Sequence, residues 1–273
     1  MSASQSPGRP PAARRLAVVT GATAGIVREL ARVLAGEGHD VVVAAEDGRV
    51  DEVARELEST GVRAHGVRAD LATRAGREEL AGAVEALGRP VDVLALNAGV
   101  GVAGPFVDSG TLEDQLRVVD LDVGHVVHLA HRLVRDMVGR GEGRVLITSS
   151  VVATVGAPHQ ATYSASKAFL QSFAQGLRHE LRDTGVTVTA LQPGATDTEF
   201  WDRSGARQRG AKLVDTAFDD PATVAREGYA ALVRGDDHVV PGRPRNRVLA
   251  QVGELLPDAV TSRLSAPLTR PRD

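Results

Sequence analysis

Short runs of valine, leucine and alanine alternate along the chain with longer amphipathic segments. The apolar runs predict strands at residues 16–20, 41–45, 62–69, 91–96, 144–149, 186–191 and 238–241. The amphipathic segments predict helices near residues 24–36, 50–60, 74–87, 112–138, 162–183 and 221–233. Because strands alternate with helices, we predict an α/β fold: a doubly wound parallel sheet of about seven strands with helices on both faces.

The same alternation sets the predicted domain boundaries. No linker interrupts it, so residues 16–242 are predicted to form one domain. Residues 1–15 are dominated by Ser, Pro, Ala and Arg, and we predict a disordered tail there. Residues 243–273 follow as a C-terminal extension that is rich in Pro and Arg.

Charge and composition exclude several classes of function. A formal net charge of -3 gives no electrostatic basis for binding nucleic acid or an anionic membrane. No apolar run is long enough to span a bilayer, and the first residues lack the apolar core of a secretory signal. The chain has no cysteine, which excludes disulfides and thiolate metal sites. We therefore expect a cytoplasmic protein without nucleic-acid or membrane partners.

Three residues near the middle of the chain form a candidate proton-transfer set. Tyr163 and Lys167 are four residues apart, so they share one face of the predicted helix, and Ser150 precedes them by a short loop. A tyrosine is a weak acid, with a reference pKa of about 10, and a nearby ammonium group favours the phenolate. For the Tyr–Lys pair alone, an ordinary amphipathic helix is the favoured explanation, because this spacing is common by chance.

A glycine-containing turn follows the first predicted strand. Gly21 permits a tight turn and Gly25 permits close approach of a ligand to the backbone, with Thr23 and Ile26 in the same turn. The following helix presents free N–H groups at its N-terminus, which suits a pyrophosphate. A turn with two glycines is weak evidence by itself, and its place in the first βαβ unit strengthens it.

Acidic residues follow the second and third predicted strands. Glu46, with Asp47 next to it, is placed to accept hydrogen bonds from an adenosine ribose, or it is a solvated loop acid. A carboxylate there repels a 2′-phosphate, and position 24 of the glycine turn is alanine rather than a basic residue, so NAD is favoured over NADP. Asp70 either accepts from the adenine amine or caps the next turn.

Taken together, these motifs resemble those of the short-chain dehydrogenase/reductase family, from Leu16 to about Gly242. The resemblance implies a Rossmann-type fold that binds NAD or NADP and interconverts an alcohol and a carbonyl on a small, apolar substrate. The matching segments are Thr20 to Val27, Asn97-Ala98-Gly99, Ser150, Tyr163 with Lys167, and Pro193-Gly194 followed by Thr196 and Thr198.

The resemblance also implies a role for each matched residue. Tyr163 would exchange a proton with the substrate oxygen, Lys167 would lower the Tyr163 pKa and hold the nicotinamide ribose, and Ser150 would orient the substrate. Asn97, Ala98 and Gly99 would flank the cofactor. Thr198 would contact the carboxamide of the nicotinamide, with Pro193, Gly194 and Thr196 beside it.

Two positions depart from the family pattern. Val27 stands where relatives usually have a third glycine, and its β-branched side chain adds bulk beside the expected cofactor. Asp122 stands where relatives have an asparagine that supports the catalytic lysine. A negative charge there would offset the pull of Lys167 on Tyr163. The alternative function is therefore a catalytically impaired protein that acts as a ligand-binding or assembly scaffold.

Several histidines, aromatic residues and long helices have both a functional and a simpler structural explanation. His125, His128 and His131 drift around one helix rather than sharing a face, so we expect interface or solvent roles and no metal site. Phe200 and Trp201 fall in a loop beside the expected site, where they either line the substrate pocket or pack locally. The helices at 112–138 and 162–183 are apolar on more than one face, and relatives pair them between subunits, so a homodimer or homotetramer is expected.

Overall fold

The computed structural model describes residues 14–207 and 218–269, and these contain one seven-stranded sheet. Every neighbouring pair of strands is parallel, in the order β3-β2-β1-β4-β5-β6-β7. The strands are β1 Leu16–Thr20, β2 Asp40–Ala45, β3 Ala64–Arg68, β4 Val93–Leu96, β5 Gly143–Thr148, β6 Val186–Leu191 and β7 His238–Val239. The predicted α/β fold with its seven-stranded parallel sheet is confirmed.

Helices cover both faces of this sheet. They are α1 Gly25–Gly36, α2 Val50–Glu58, α3 Arg74–Ala86, α4 Leu112–Val118, α5 His125–Arg140, α6 Ala161–Glu180, α7 Phe200–Arg203, α8 Pro221–Arg234, α9 Pro244–Leu255 and α10 Asp258–Thr269. One apolar core lies between the sheet and α3, α5 and α6, and a second lies between the sheet and α1, α2 and α8. The central strands are buried on both faces, which explains why they read as continuous apolar runs.

The long helix predicted at 112–138 is interrupted in the structure. Thr111 begins α4 with a capping box that it forms with Asp114. A π-helical turn, Val119–Gly124, then separates α4 from α5. Such turns insert an extra residue into a helix and often lie at functional sites. This one carries Asp122 and turns its side chain into the interior, where it is fully buried.

The C-terminal region contains more regular structure than its composition indicated. Residues 244–269 form α9 and α10, which the sequence analysis missed because Pro and Arg obscure the apolar pattern there. Helix α9 packs on the short 3₁₀ turn Val151–Thr154 that follows β5. The division of the chain at 242 stays a prediction, and most of the predicted N-terminal tail lies outside the described residues. Within the described residues, no helix is both long and apolar enough to cross a bilayer.

Candidate active site

A cavity of about 520 Å³ opens at the carboxyl ends of the strands. Strand order reverses between β1 and β4, and crevices at such a switch point are where doubly wound sheets bind ligands. The cavity is lined by every site residue named from the sequence except Asp122: Gly21, Thr23, Gly25, Ile26, Glu46, Asp70, Asn97, Ala98, Gly99, Ser150, Tyr163, Lys167, Pro193, Gly194, Thr196 and Thr198.

The glycine turn has the geometry that a bound pyrophosphate requires. Gly21 and Gly25 have φ of +83° and +55°, in the left-handed region. A Cβ atom on Gly25 would lie 2.6 Å from the side chain of Thr198, so the turn and the loop after β6 approach closely. Helix α1 begins at Gly25, and its N-cap residue Ala24 has no side-chain acceptor for the first N–H groups. An anionic ligand fits this end of the helix.

The acidic residues after β2 and β3 are each paired with arginine. Arg117 on α4 forms ion pairs with both Glu46 and Asp70, at 3.0 Å to the latter. Asp47, rather than Glu46, contacts the glycine turn, because its Oδ2 accepts from Thr23 Oγ1 at 3.0 Å. Arg49 pairs with Asp47 at 3.1 Å. The sequence analysis did not assign either arginine to the site. Arg117 is far from the acids in sequence, and nothing local marks it.

Asn97 anchors the cavity floor between β4 and β5. Its Oδ1 accepts a hydrogen bond from Thr148 Oγ1 at 2.6 Å. Thr20 Oγ1, at the end of β1, accepts from the backbone N–H groups of Asn97 and Ala98 at 2.9 and 3.1 Å. The Asn97 Nδ2 donor is buried and has no protein partner, which marks a place for an acceptor on a ligand or water.

Ser150, Tyr163 and Lys167 meet on the opposite wall. Ser150 follows β5 directly, and its Oγ accepts from Val152 N–H at 3.3 Å. Tyr163 lies in the first turn of α6 and its ring contacts Phe200, with ring centroids 5.0 Å apart. Lys167 Nζ is 5.5 Å from the centre of the Tyr163 ring and donates to the carbonyl oxygen of Thr148 at 3.2 Å.

Asp122 lies behind this wall and is held by three donors. Its Oδ1 accepts from Val100 N–H at 2.8 Å, and its Oδ2 accepts from Ser166 Oγ at 2.9 Å. Lys167 Nζ is 3.5 Å from Oδ2. Both side chains of this ion pair are almost completely buried. The Lys167 ammonium is therefore shared between a carboxylate and the cavity.

Burial raises the pKa of the Tyr163 phenol well above its usual range, and the charge of Asp122 raises it further. A hydrogen bond with Ser150 acts in the opposite direction. This differs from the expectation that Lys167 lowers the Tyr163 pKa, mainly because the phenol is buried. Burial also raises the pKa of Asp122, against the attraction of Lys167. The carboxyl group expected to offset Lys167 therefore lies beside the ammonium, while burial disfavours its charged form.

The three helical histidines do not share one environment. His125 is fully buried, and its Nε2 lies 3.2 Å from Thr20 Oγ1, so an interface or solvent role was wrong for this residue. Burial lowers the pKa of His125 to about 3, which keeps the ring neutral. His128 lies 3.6 Å from Glu78 near the surface. Across 14–207 and 218–269, no three acidic or histidine side chains are grouped to hold a metal ion.

The remaining wall of the cavity combines apolar residues with helices that the sequence analysis missed. Its apolar members are Val151, Val152, Val155, Ala157, Phe200, Trp201 and Leu249. Helices α9 and α10 contribute Asn246, Gly253, Thr261, Ser265 and Thr269. Gln160, directly before α6, also lines the cavity. Phe200 and Trp201 therefore do line the cavity. No local motif in the sequence marks the C-terminal residues as part of a site.

Comparison with known proteins agrees with this architecture. A family model described as short chain dehydrogenase matches residues 15–209. A sulfoacetaldehyde reductase from Chromohalobacter salexigens is 30% identical over 80% of this chain and 86% of its own length. A short chain dehydrogenase from Pseudocercospora fijiensis is 33% identical over 68% of this chain, a match that spans 61% of that relative.

Solved structures show the same likeness in three dimensions. A short-chain dehydrogenase from Sphingobium yanoikuyae, solved in complex with NADPH, superimposes with a TM-score of 0.78 and 29% identity, covering 88% of this chain and 92% of that one. The chain thus belongs to the short-chain dehydrogenase/reductase family, a family of oxidoreductases with a Rossmann-type fold.

Proposed function

We propose that this protein is an NAD(P)-dependent oxidoreductase that interconverts an alcohol and a carbonyl on a small, largely apolar substrate. The observation that carries the proposal is that Ser150, Tyr163 and Lys167 line the same cavity as the glycine turn. A phenol, a cation and an orienting hydroxyl are thereby brought beside a place suited to a dinucleotide. Val151, Val155, Phe200 and Leu249 supply the apolar surface for the substrate.

The residues present fit a nicotinamide dinucleotide. Gly21 and Gly25 would receive the pyrophosphate at the N-terminus of α1, and Asp47, Glu46 and Asp70 would face the adenosine. The orphaned Nδ2 of Asn97 offers a donor between the two walls. When bound, the dinucleotide supplies or accepts the hydride.

The chemistry of the chain's own residues is proton transfer and orientation. Tyr163 donates its phenolic proton to the carbonyl oxygen during reduction and takes it back from the alcohol during oxidation. Ser150 hydrogen-bonds the same oxygen and fixes its distance from Tyr163. Lys167 stabilises the phenolate by its charge, and Asp122 reduces that effect because it lies 3.5 Å from the ammonium.

Both NAD and NADP are proposed as cofactors. Glu46 and Asp47 favour NAD, because carboxylates repel a 2′-phosphate. Arg117 and Arg49 neutralise these acids, however, which removes much of that repulsion. The NAD preference expected from the sequence therefore has no support, and the similar structure from Sphingobium yanoikuyae contains NADPH.

We further propose that the protein forms a homodimer or homotetramer through α4 and α6. Leu112 and Leu116 on α4 are 65% and 52% exposed, and Phe169 on α6 is 44% exposed. Phe169 stacks on Phe173 of the same helix, with ring centroids 6.0 Å apart. Large apolar side chains exposed together in this way favour burial by a partner surface.

A scaffold without turnover is the second candidate function. Two observations favour it: the bulky Val27 lines the cavity, and the Lys167 ammonium is paired with Asp122. The intact Ser150, Tyr163 and Lys167 set favours the enzyme, since a scaffold has no chemical need for it.

Titration of the protein with NADH and with NADPH, followed by nicotinamide fluorescence, tests the cofactor part of the proposal. We expect binding of at least one of them. Steady-state assays with a panel of aldehydes and ketones then separate an enzyme from a scaffold. Binding without turnover of any carbonyl compound would favour the scaffold, and absence of binding would contradict the NAD(P)-dependent oxidoreductase.

The Val27→Gly variant is expected to bind the dinucleotide more tightly, by about fivefold or more. Val27 lines the cavity and also packs against the apolar core under α1, so its side chain occupies space that relatives leave open. Overpacking of this kind typically costs about 1–3 kcal/mol. Isothermal titration with NADH and NADPH measures the effect.

Val33→Gly is the matched control for this prediction. Val33 lies on the same helix and against the same core, but away from the cavity. The Val33→Gly variant shows how much a glycine in α1 lowers the free energy of unfolding, which is about 1 kcal/mol. Equal affinities in Val27→Gly and the unmodified protein would show that the cavity already accommodates the valine.

A further inference from the structure

Gln160 is a buried amide on the cavity wall that the proposed proton-transfer chemistry does not use. The residue is only 6% exposed and lines the cavity. Its backbone is fully engaged, since its N–H donates to Ala157 at 3.1 Å and its carbonyl accepts from Ser164 N–H at 2.8 Å. No hydrogen bond joins its side-chain amide to a residue that the structure describes, and the amide atoms remain accessible from the cavity.

An amide in this position needs a partner from the cavity. A polar group that faces a cavity forms its hydrogen bonds with what fills the cavity, either a ligand or water. Val151, Val155 and Ala157, which also line the cavity, have apolar side chains that offer it no acceptor. The amide therefore selects for a polar group on whatever occupies the cavity.

Gln160 lies close to the reacting centre. It is the N-cap residue of α6, directly before the first helical turn, which carries Tyr163, and both residues line the cavity. A substrate whose carbonyl reaches Tyr163 and Ser150 would thus present its neighbouring atoms to Gln160.

Helix α10 makes this end of the cavity polar as well. Thr261, Ser265 and Thr269 recur at four-residue spacing and all line the cavity. Ser265 Oγ donates to the carbonyl of Gly156 at 2.7 Å, which holds α10 against the loop leading to Gln160. A hydroxyl that donates its proton to the backbone keeps lone pairs for a ligand.

We infer that Gln160 is a specificity-determining residue whose carboxamide hydrogen-bonds a second oxygen of the substrate. This inference rests on the proposed function and narrows it. The substrate class is a bifunctional carbonyl compound, such as a keto ester or a hydroxy ketone, in which the second oxygen lies a few bonds from the reacting carbonyl. An unsubstituted hydrocarbon ketone leaves the amide unsatisfied and is a poorer substrate.

Two ketones of equal chain length test this inference: ethyl 3-oxobutanoate, which carries a second carbonyl, and 2-heptanone, which does not. The ratio of their kcat/KM values is measured in the unmodified protein and in Gln160→Met, which keeps the side-chain length and removes the amide. Because both proteins are assayed with the same two ketones, the difference in intrinsic reactivity between the ketones cancels when the two ratios are compared. We expect the ratio of kcat/KM for the keto ester to kcat/KM for 2-heptanone to fall by about tenfold in Gln160→Met, through a higher KM for the keto ester, because the variant has no amide N–H to donate to the second carbonyl.

Gln160→Leu serves as a second variant with the same expected loss, and activity on 2-heptanone verifies that each variant folds. Gln171→Met is the matched control, since Gln171 is a buried glutamine on the same helix that does not line the cavity. An unchanged ratio in both Gln160 variants overturns the inference and leaves the proposed function standing. Turnover of other carbonyl compounds in the panel without any reduction of the keto ester overturns the inference alone. Failure of the unmodified protein to bind NADH or NADPH, or to reduce any carbonyl compound in the panel, overturns the proposed function and the inference with it.

Discussion

The Tyr163→Phe variant is expected to lose most of its turnover, with kcat lower by about 10²–10⁴-fold. The substitution removes only the phenolic oxygen and so removes the group that exchanges a proton with the substrate. The ring and its contact with Phe200 remain, so the fold and the cofactor cavity are retained. Steady-state assays of carbonyl reduction, with fluorescence titration of the cofactor alongside, measure both quantities.

Tyr229→Phe is the natural control, because Tyr229 is the second of only two tyrosines in the chain and lies on α8, away from the cavity. It should retain full turnover. Turnover in Tyr163→Phe comparable to that of the control would refute the assignment of Tyr163 as acid and base. Loss of turnover together with loss of cofactor binding would assign Tyr163 a binding role instead.

The Asp122→Asn variant is expected to oxidise alcohols at lower pH than the unmodified protein. Oxidation requires the phenolate, so the rate rises with pH as Tyr163 loses its proton. Asp122 raises the Tyr163 pKa, and removing its charge lowers that pKa and moves the rising limb of the profile to lower pH. Since one pKa unit changes the phenolate fraction tenfold, we expect kcat at pH 7 to increase by about three- to tenfold.

The hydrogen-bond network can accept this substitution. The Asn carbonyl replaces Oδ1 as acceptor for Val100 N–H. Ser166 Oγ also lies 2.8 Å from the Tyr163 carbonyl oxygen, so its one proton can turn to that carbonyl while the hydroxyl oxygen accepts from the new amide. Lys167 keeps its bond to the Thr148 carbonyl and loses its counter-ion. The ammonium charge then acts on Tyr163 without opposition.

Profiles of kcat against pH for alcohol oxidation test this prediction, with Asp120→Asn as control. Asp120 lies in the same π-helical turn, but its side chain is 60% exposed and faces Arg77. Its removal should leave the profile in place. Superimposable profiles for Asp122→Asn and the unmodified protein would mean that the carboxylate does not influence Tyr163.

The sequence predicted those parts of the fold that depend on local periodicity. Buried parallel strands are continuous apolar runs, so β1 and β6 were predicted with their observed bounds. The π-helical turn at Val119–Gly124 was not predicted, because apolar residues continue through it and no proline marks a break. Helices α9 and α10 were missed because Pro and Arg obscure their apolar pattern, and contacts with distant loops, such as that of Ser265 with Gly156, are not visible in the sequence.

The residues of the candidate site also differ in whether the sequence alone predicts them. Gly21, Asn97, Ser150 and Tyr163 belong to compact motifs and were recognised together. Arg117 and Gln160 carry no motif, and only the folded chain brings them to the cavity. Residues that perform common chemistry are therefore visible in the sequence, whereas residues that distinguish one ligand from another depend on tertiary structure.

The arrangement of α9 and α10 has a consequence for how new activities could arise. Ser150, Tyr163 and Lys167 all precede residue 200, whereas α9 and α10 supply a separate part of the cavity lining. Under the proposed function, we expect that exchange of α9 and α10 between related proteins would alter which molecule is accepted and leave the reaction itself intact. The proposed function thus makes the two C-terminal helices an exchangeable determinant of substrate choice.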